Sequence, residues 1–256
     1  MRTLFAFTKK EMLEQLRTSK LVILGIVFLL FGVMNPAVAK LTPWLMEMLA
    51  DTMEGSGLII TEVKVTALDS WVQFFKNLPM ALIIFILLEG GIFTNEYRSG
   101  TLTLSLSKGL SRRTVVVSKT AVLMLLWSVG YWLCFGVTYA YNAYFWDNAI
   151  AQNLGFSALV WWVFGLWTLA LAVLFSVLSA SVSGVLLGTG GIAFCSYLLS
   201  ILPKVSDYLP TRLTDGNSLL YGKLLPEDYT AALVLVLVSG GVCLAVSVPL
   251  FNKKQL

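Results

Sequence analysis

Six apolar stretches, at residues 21–39, 78–94, 120–145, 156–179, 182–202 and 230–251, dominate this chain of 256 residues and leave it few folds to choose from. A helix rises 1.5 Å per residue, so about twenty apolar residues match a hydrocarbon core about 30 Å thick. In hydrocarbon only helices and closed barrels satisfy every backbone polar group. The six stretches do not alternate apolar with polar as barrel strands do. The expected fold is therefore an all-α integral membrane protein, with residues 21–256 forming a single six-helix transmembrane domain. Composition agrees: 57% of residues are hydrophobic, 12% are charged, and the mean hydropathy is +0.81.

Orientation follows from the basic residues, which collect on the cytoplasmic side of a bilayer. With the N-terminus inside, twelve of the eighteen Lys and Arg fall on the cytoplasmic side, and ten of the fourteen acids fall on the other. Both termini are thus expected in the cytoplasm of a multi-pass protein of the cell membrane. The net charge of +4 then reflects topology, and no aromatic-studded basic groove points to nucleic acid. Ala37, Val38 and Ala39 end the first stretch in a small-residue pattern, but the charged region before it is twenty residues long and helical in character. That region is too long for a signal peptide, so the stretch is read as an uncleaved span.

Little chemistry is available. The absence of histidine removes Ser/His/Asp and Cys/His catalysis and the commonest zinc ligand. No G-x-x-x-x-G-K-[ST] phosphate loop occurs; the nearest glycine cluster, Gly188, Gly190 and Gly191, has no lysine after it. Cys134, Cys195 and Cys243 all lie in apolar spans and read as packing residues. No catalytic residue, metal site or cofactor is expected in this chain.

Two segments carry polar character that a simple span would lack. In residues 1–20, Leu4, Phe5, Thr8, Met12 and Leu16 share one arc of a helix while Lys10, Glu14 and Arg17 lie opposite, with Phe7 off the pattern. This is either an interfacial elbow helix or a basic flank that sets topology. The loop at residues 95–119, NEYRSGTLTLSLSKGLSRRTVVVSK, offers Ser99 as a cap for a short helix, Leu102 and Leu106 on one face of it, Gly109 as a stop, and Ser111 as the cap of a helix running through Arg112 and Lys119. A short exposed helix with a leucine face needs a partner groove or the lipid surface. A positive-inside loop lying on lipid is the plainer account.

Glu96, Gly100, Thr101, the leucine-rich stretch with Leu104, then Ser111-Arg112 and Lys119, placed after the second of six spans, resemble the ABC-2 type permeases, the membrane subunits of ATP-binding-cassette exporters. The likeness extends to length, span number, the basic amphipathic N-terminal helix and inside termini; in size and layout the chain is similar to the phenol-soluble modulin type of peptide exporter. The resemblance implies that the loop is a coupling helix docking into a separate ATPase subunit, with two ATPase copies serving two permease copies, identical or not. It implies ATPase-coupling roles for Glu96, Arg98, Ser99, Gly100, Thr101, Leu102, Leu104, Leu106, Lys108 and Arg112. ATP and Mg would then sit on the partner, and an amphipathic or antimicrobial peptide would move outward.

Glu89, in LLEGG, is the one ionisable residue well inside an apolar stretch, and such a residue is functional by default. It either pairs with a cation near the first helix or serves as a proton or substrate site, the latter making the chain an ion-coupled secondary transporter. Such carriers show inverted repeats, and none is evident here. Gly184 and Gly188 form a small-residue face for a dimer seam or for packing within the chain. Trp127, Tyr131, Trp132, Trp161, Trp162 and Trp167 belong to lipid-facing belts or to an amphipathic pathway. Outside, residues 40–76 and 203–229 are too long for turns. Trp44, Leu45, Met48, Leu49 and Met53 suit an interfacial helix. Tyr208, Pro210, Leu219, Leu220 and Tyr221 suit short helices dipping into the outer leaflet, as in the resembled family.

Overall fold

The computed structural model describes residues 2–52, 64–107 and 109–254, and every regular element among them is helical. In chain order these are α1 (Arg2–Arg17), α2 (Lys20–Thr52), α3 (Ala67–Glu89), α4 (Thr94–Ser99), α5 (Thr101–Ser107), α6 (Arg112–Phe145), α7 (Leu154–Leu178), α8 (Val182–Leu199), α9 (Pro203–Ser206), α10 (Gly216–Leu220) and α11 (Thr230–Lys253). Six of them, α2, α3, α6, α7, α8 and α11, are long and apolar enough to cross a membrane. The chain is a multi-pass membrane protein.

Two spans differ from expectation. No glycine interrupts the chain between Lys40 and Thr52, and α2 runs on as one helix of 33 residues, about 50 Å, through Pro36 and Pro43. The separate interfacial helix expected after the first span is thus its own extension; Trp44, Leu45 and Met48 are exposed on it, while Met53 lies outside the described residues. α3 starts at Ala67, eleven residues before the apolar run. Its start is set by a capping pair, the Thr66 N–H donating to Asp69 Oδ2 at 2.8 Å. Asp69, Gln73, Lys76 and Asn77 diluted the hydropathy there, yet Trp71, Phe74 and Phe75 on the same stretch are buried.

The most buried span, α7, is the hub, flanked by α6, α8, α11, α10 and the turn at Pro210–Thr214. The other half is built on α2 packed against α3 and α6. Phe28 and Phe85 each meet Trp127 edge to face and are tilted against one another between them, with ring centroids 5.6–6.4 Å apart. Gly130 and Gly165 make that contact possible, since a Cβ at either would run into the Phe28 or the Trp127 ring. The aromatic residues of α6 therefore divide: Trp127 and Tyr131 are core, whereas Tyr139, Tyr141 and Tyr144 are exposed. Gly184 and Gly188 pack within the chain, against Ser179 and the Phe175 ring.

Three polar side chains link three of these spans. Asn77 Nδ2 donates to Asn35 Oδ1 at 2.9 Å, Asn35 Nδ2 to Thr138 Oγ1 at 3.2 Å, and Thr138 Oγ1 to the Gly32 carbonyl at 3.0 Å, joining α3, α2 and α6. Residues 203–229 fold back onto the bundle as α9, α10 and two 3-10 turns, burying Pro210, Leu213, Leu219, Leu220 and Tyr229. The Tyr229 hydroxyl donates to the Asp215 carbonyl at 2.7 Å, while Tyr208 and Tyr221 stay exposed.

Candidate functional site

One end of the bundle, called basal here, gathers α1, α4, α5, the starts of α2 and α6 and the last residues of α11. Helix α1 docks there by Phe7, Glu11 and Gln15, which recur every four residues and so share one face. Phe7, which disturbs the hydrophobic arc, is the apolar anchor. The arc itself, with Leu4, Phe5 and Leu16, is exposed, as an amphipathic helix lying on a membrane surface requires.

Glu11 meets Lys119 of α6, whose side chain is only 2% exposed: Nζ lies 2.7 Å from Glu11 Oε2 and 3.1 Å from Glu96 Oε2 of α4. Lys10 closes the cluster at 3.0 Å from Glu11 Oε1, 2.8 Å from Glu14 Oε2 and 3.3 Å from Glu96 Oε1. Burial alone would lower the Lys10 pKa, but its hydrogen bonds to Glu14 and Glu11 outweigh that and hold it above the ordinary lysine value. Glu11, Glu14 and Glu96 bring carboxylate oxygens within 4.8 Å of one another, a spacing that suits a cation. Two ammonium groups already occupy that role, so the cluster reads as a three-helix ionic clamp and not as a metal site.

One turn further along α1, Gln15 Nε2 donates to Glu89 Oε2 at 2.8 Å, and Lys20 Nζ stands 3.7 Å away. Glu89 is fully buried but is the last residue of α3, so it lies at the basal end and pairs with α1 and the start of α2. The chain then turns through residues 90–93, where the Gly90 carbonyl accepts from Ser176 Oγ at 3.1 Å, and enters α4 and α5.

Gly100, at φ +68°, reverses the chain between α4 and α5, and Gly109, at φ +89°, ends that step before Ser111 caps α6 by accepting from the Thr114 N–H at 3.2 Å. Gly109 and Ser111 thus play their expected parts. Ser99 does not: it is the last residue of α4, not the cap of a new helix. Leu102 is 1% exposed and Leu106 is half-buried, so the leucine face is turned into the chain's own core and offers no free ridge to a partner. Arg112 also points inward. Its Nη1 donates to the carbonyls of Phe251 at 2.8 Å, Asn252 at 3.2 Å and Lys254 at 2.7 Å, closing the end of α11. Glu96 is engaged in the ionic clamp. Thr101, Thr103 and Ser107 form the outward side of α5. The side chains of Arg98, Ser99 and Leu104, and the whole of Lys108, lie outside the described residues.

Lys254, absent from the expected site, reaches back to the end of α7, its Nζ donating to the carbonyls of Val177 at 2.7 Å and Ser179 at 3.0 Å and standing 4.1 Å over the Tyr97 ring. Its burial keeps the ammonium pKa below the usual lysine value. Sequence reasoning also passed over Glu11 and Gln15. Their spacing from Phe7 was the available signal, hidden because an amphipathic face was sought by apolarity, whereas this buried face is mostly polar.

The family model described as "ABC-2 family transporter protein" matches residues 5–206, from within α1 to the end of α9. The chain is also 27% identical over 225 residues to an uncharacterized transmembrane protein of Bacillus subtilis (strain 168), YxlG, an alignment covering 83% of each chain.

Proposed function

This chain belongs to the ABC-2 family of transporter proteins, and from that premise we propose that it is the permease subunit of an ATP-binding-cassette exporter. Hydrolysis of ATP, with its Mg, takes place on a separate ATPase subunit, present in two copies beside two permease copies. The basal end faces the cytoplasm of the cell membrane, and with it both termini. The substrate is amphipathic, an antimicrobial or similar peptide, and moves outward.

The observation that carries this reading is the α4–α5 step held by the ionic clamp. A short two-helix step at the basal end presents an outward polar side and is bound from behind to α1 through the Lys10–Glu96 pair, to α6 through the Lys119–Glu96 pair, to α11 through Tyr97 against Phe251, and to the end of α7 through Lys254, which lies over the Tyr97 ring. A push on α5 by an ATPase is therefore delivered to several helices at once, because ion pairs and packed rings at these distances do not slide freely. Docking contacts come from the exposed side of α5, not from Leu102 or Arg112. Glu89, paired at the base of α3, supports this step and does not serve as a midplane ion site.

Tagged purification from native membranes in mild detergent tests the reading. A soluble protein with a phosphate-loop motif is expected to accompany the chain in a one-to-one ratio; recovery of the folded chain alone, at every salt concentration tried, overturns it.

The second permease copy is placed on α8. This span is the least covered of the six and packs mainly on α7 and the turn at Pro210–Thr214; Gly190 and Gly191 on it have open space beside them. Cys195, free and exposed on the same helix, reports on the arrangement. Mild oxidation in membranes is expected to yield a disulfide-linked dimer of this chain that disappears in Cys195→Ser. Persistence of the linked dimer in Cys195→Ser, or its absence in the parent, argues against two copies meeting at α8.

A further inference from the structure

A groove of about 780 Å³ opens at the basal end between the starts of α1 and α6. Thr3, Leu4 and Phe5 line it from α1, and Arg113, Thr114 and Val117 line it from α6. Its apolar walls are uncovered: Phe5 is 74% exposed, and Leu4 and Val117 are 39% exposed each. Arg113 is the charged residue of the lining, and no carboxylate shares the groove with it. The Thr114 hydroxyl is already engaged with Ser111 Oγ at 2.7 Å.

Arg113 differs from the cations around it. Lys10 and Lys119 are held by Glu11, Glu14 and Glu96, and Arg112 and Lys254 close helix ends through backbone carbonyls. Arg113 is exposed and has neither an ion pair nor a hydrogen bond among the described residues. It also stands at the polar end of an apolar track. Val117, Ala121 and Leu125 follow it at four-residue steps, all exposed, and form one row along α6 that rises about 6, 12 and 18 Å from it. Helix α6 has 34 residues, about 50 Å, against a hydrocarbon core of about 30 Å. Its first turns therefore stand among headgroups, while Ala121 and Leu125 reach the acyl chains.

We propose that this groove holds one anionic phospholipid of the leaflet at the basal end, its phosphate on Arg113 and an acyl chain along Val117, Ala121 and Leu125. A guanidinium fork matches two phosphate oxygens, and the apolar body of the lipid covers Leu4, Phe5 and Val117. Phosphatidylcholine brings a quaternary ammonium for which the lining has no carboxylate, so a headgroup of net negative charge is favoured. A water-soluble phosphate would leave the apolar walls and the track uncovered, which is the ground for choosing the lipid. The bound lipid touches α1 and α6 at once, beside the ionic clamp. The site goes beyond the transport reading and does not depend on it.

The test uses the full purified chain in phosphatidylcholine nanodiscs that contain a trace of a lipid with a diazirine midway along one acyl chain, either phosphatidylglycerol or phosphatidylcholine. Cross-links within residues 117–125 are expected about fivefold more often with phosphatidylglycerol, the ratio that corresponds to about 1 kcal/mol for one cation facing an anionic headgroup. Arg113→Gln should bring the two probes level with the thermal midpoint unchanged, since the side chain has no partner in the fold. Lys253→Gln removes another exposed basal cation and should leave the difference in place. Equal or absent labelling by the two probes in the parent overturns the site, and so does an undiminished difference in Arg113→Gln. A loss in Lys253→Gln as large as in Arg113→Gln also overturns it, because the preference would then be one of net charge. Displacement of the cross-link by millimolar glycerol phosphate overturns the lipid assignment in favour of a soluble phosphate. No ATPase is present, so failure here leaves the copurification result untouched, and the reverse.

Discussion

Lys119→Met is expected to destabilise the protein by about 3–5 kcal/mol, because it leaves the buried carboxylate of Glu11 and the partly buried one of Glu96 without their shared ammonium. A buried ion pair adds little over a well-packed apolar pair, but breaking one side of it strands a charge. Lys10 cannot compensate in full, being half-exposed and already divided among three carboxylates. Adding Glu11→Gln and Glu96→Gln to Lys119→Met should therefore recover a large part of the loss, since the stranded charges go with them. Unfolding of the purified chain by sodium dodecyl sulfate, followed by tryptophan fluorescence and far-ultraviolet dichroism, reads both steps. If Lys119→Met unfolds with the parent, or the triple variant is weaker than the single one, the clamp does not hold α1 and α4 to α6.

The second large effect separates the two sides of α5. Leu102→Asp places a carboxylate at a position 1% exposed inside the apolar core and is expected to cost about 3 kcal/mol or more, showing first as loss of folded protein. Thr103→Arg, one residue along and exposed, should leave stability within about 0.5 kcal/mol of the parent. In the assembled complex the same variant should lower permease-stimulated ATP hydrolysis about tenfold, a coupling loss of about 1.4 kcal/mol. The comparison is informative because the two residues are adjacent on one short helix, one buried and the other exposed. Normal stimulation in Thr103→Arg would remove the outward side of α5 as the docking surface. Normal stability in Leu102→Asp would mean that the leucine side is not the packed one.

Both predictions depart from what the loop sequence alone suggested. Two leucines four apart in a polar loop looked like a ridge for a partner, whereas Leu102 is buried in the chain's own apolar core and Leu106 packs against that core. Arg112 was expected as an outward contact from the family resemblance. It is spent on three carbonyls at the end of α11, 139 to 142 residues away, and no local pattern reports a partner at that separation. Glu89 was legible as an ionisable residue in an apolar stretch and as a partner for a cation near the first helix, but the choice between that role and a proton or substrate site was not, because hydropathy does not say where a helix stops relative to its neighbours. The two glycines after it end α3 and put the carboxylate beside Gln15 and Lys20.

The sequence by itself determined the class: six apolar runs long enough to span hydrocarbon admit a helical bundle, and the uneven placement of Lys and Arg sets an expected direction through the membrane. It also determined the stop at Gly109 and the Ser111 cap, since left-handed backbone and helix starts are chosen by residues close in the chain. Only the tertiary structure decided which polar groups face one another. Glu11 with Lys119, Asn35 with Asn77 and Thr138, and Arg112 with the end of α11 are separated by 42 to 142 residues. The physical reason is that apolar burial is non-directional and can be read from composition, whereas an ion pair or hydrogen bond needs two atoms within about 3 Å, and that distance exists only after the helices have packed.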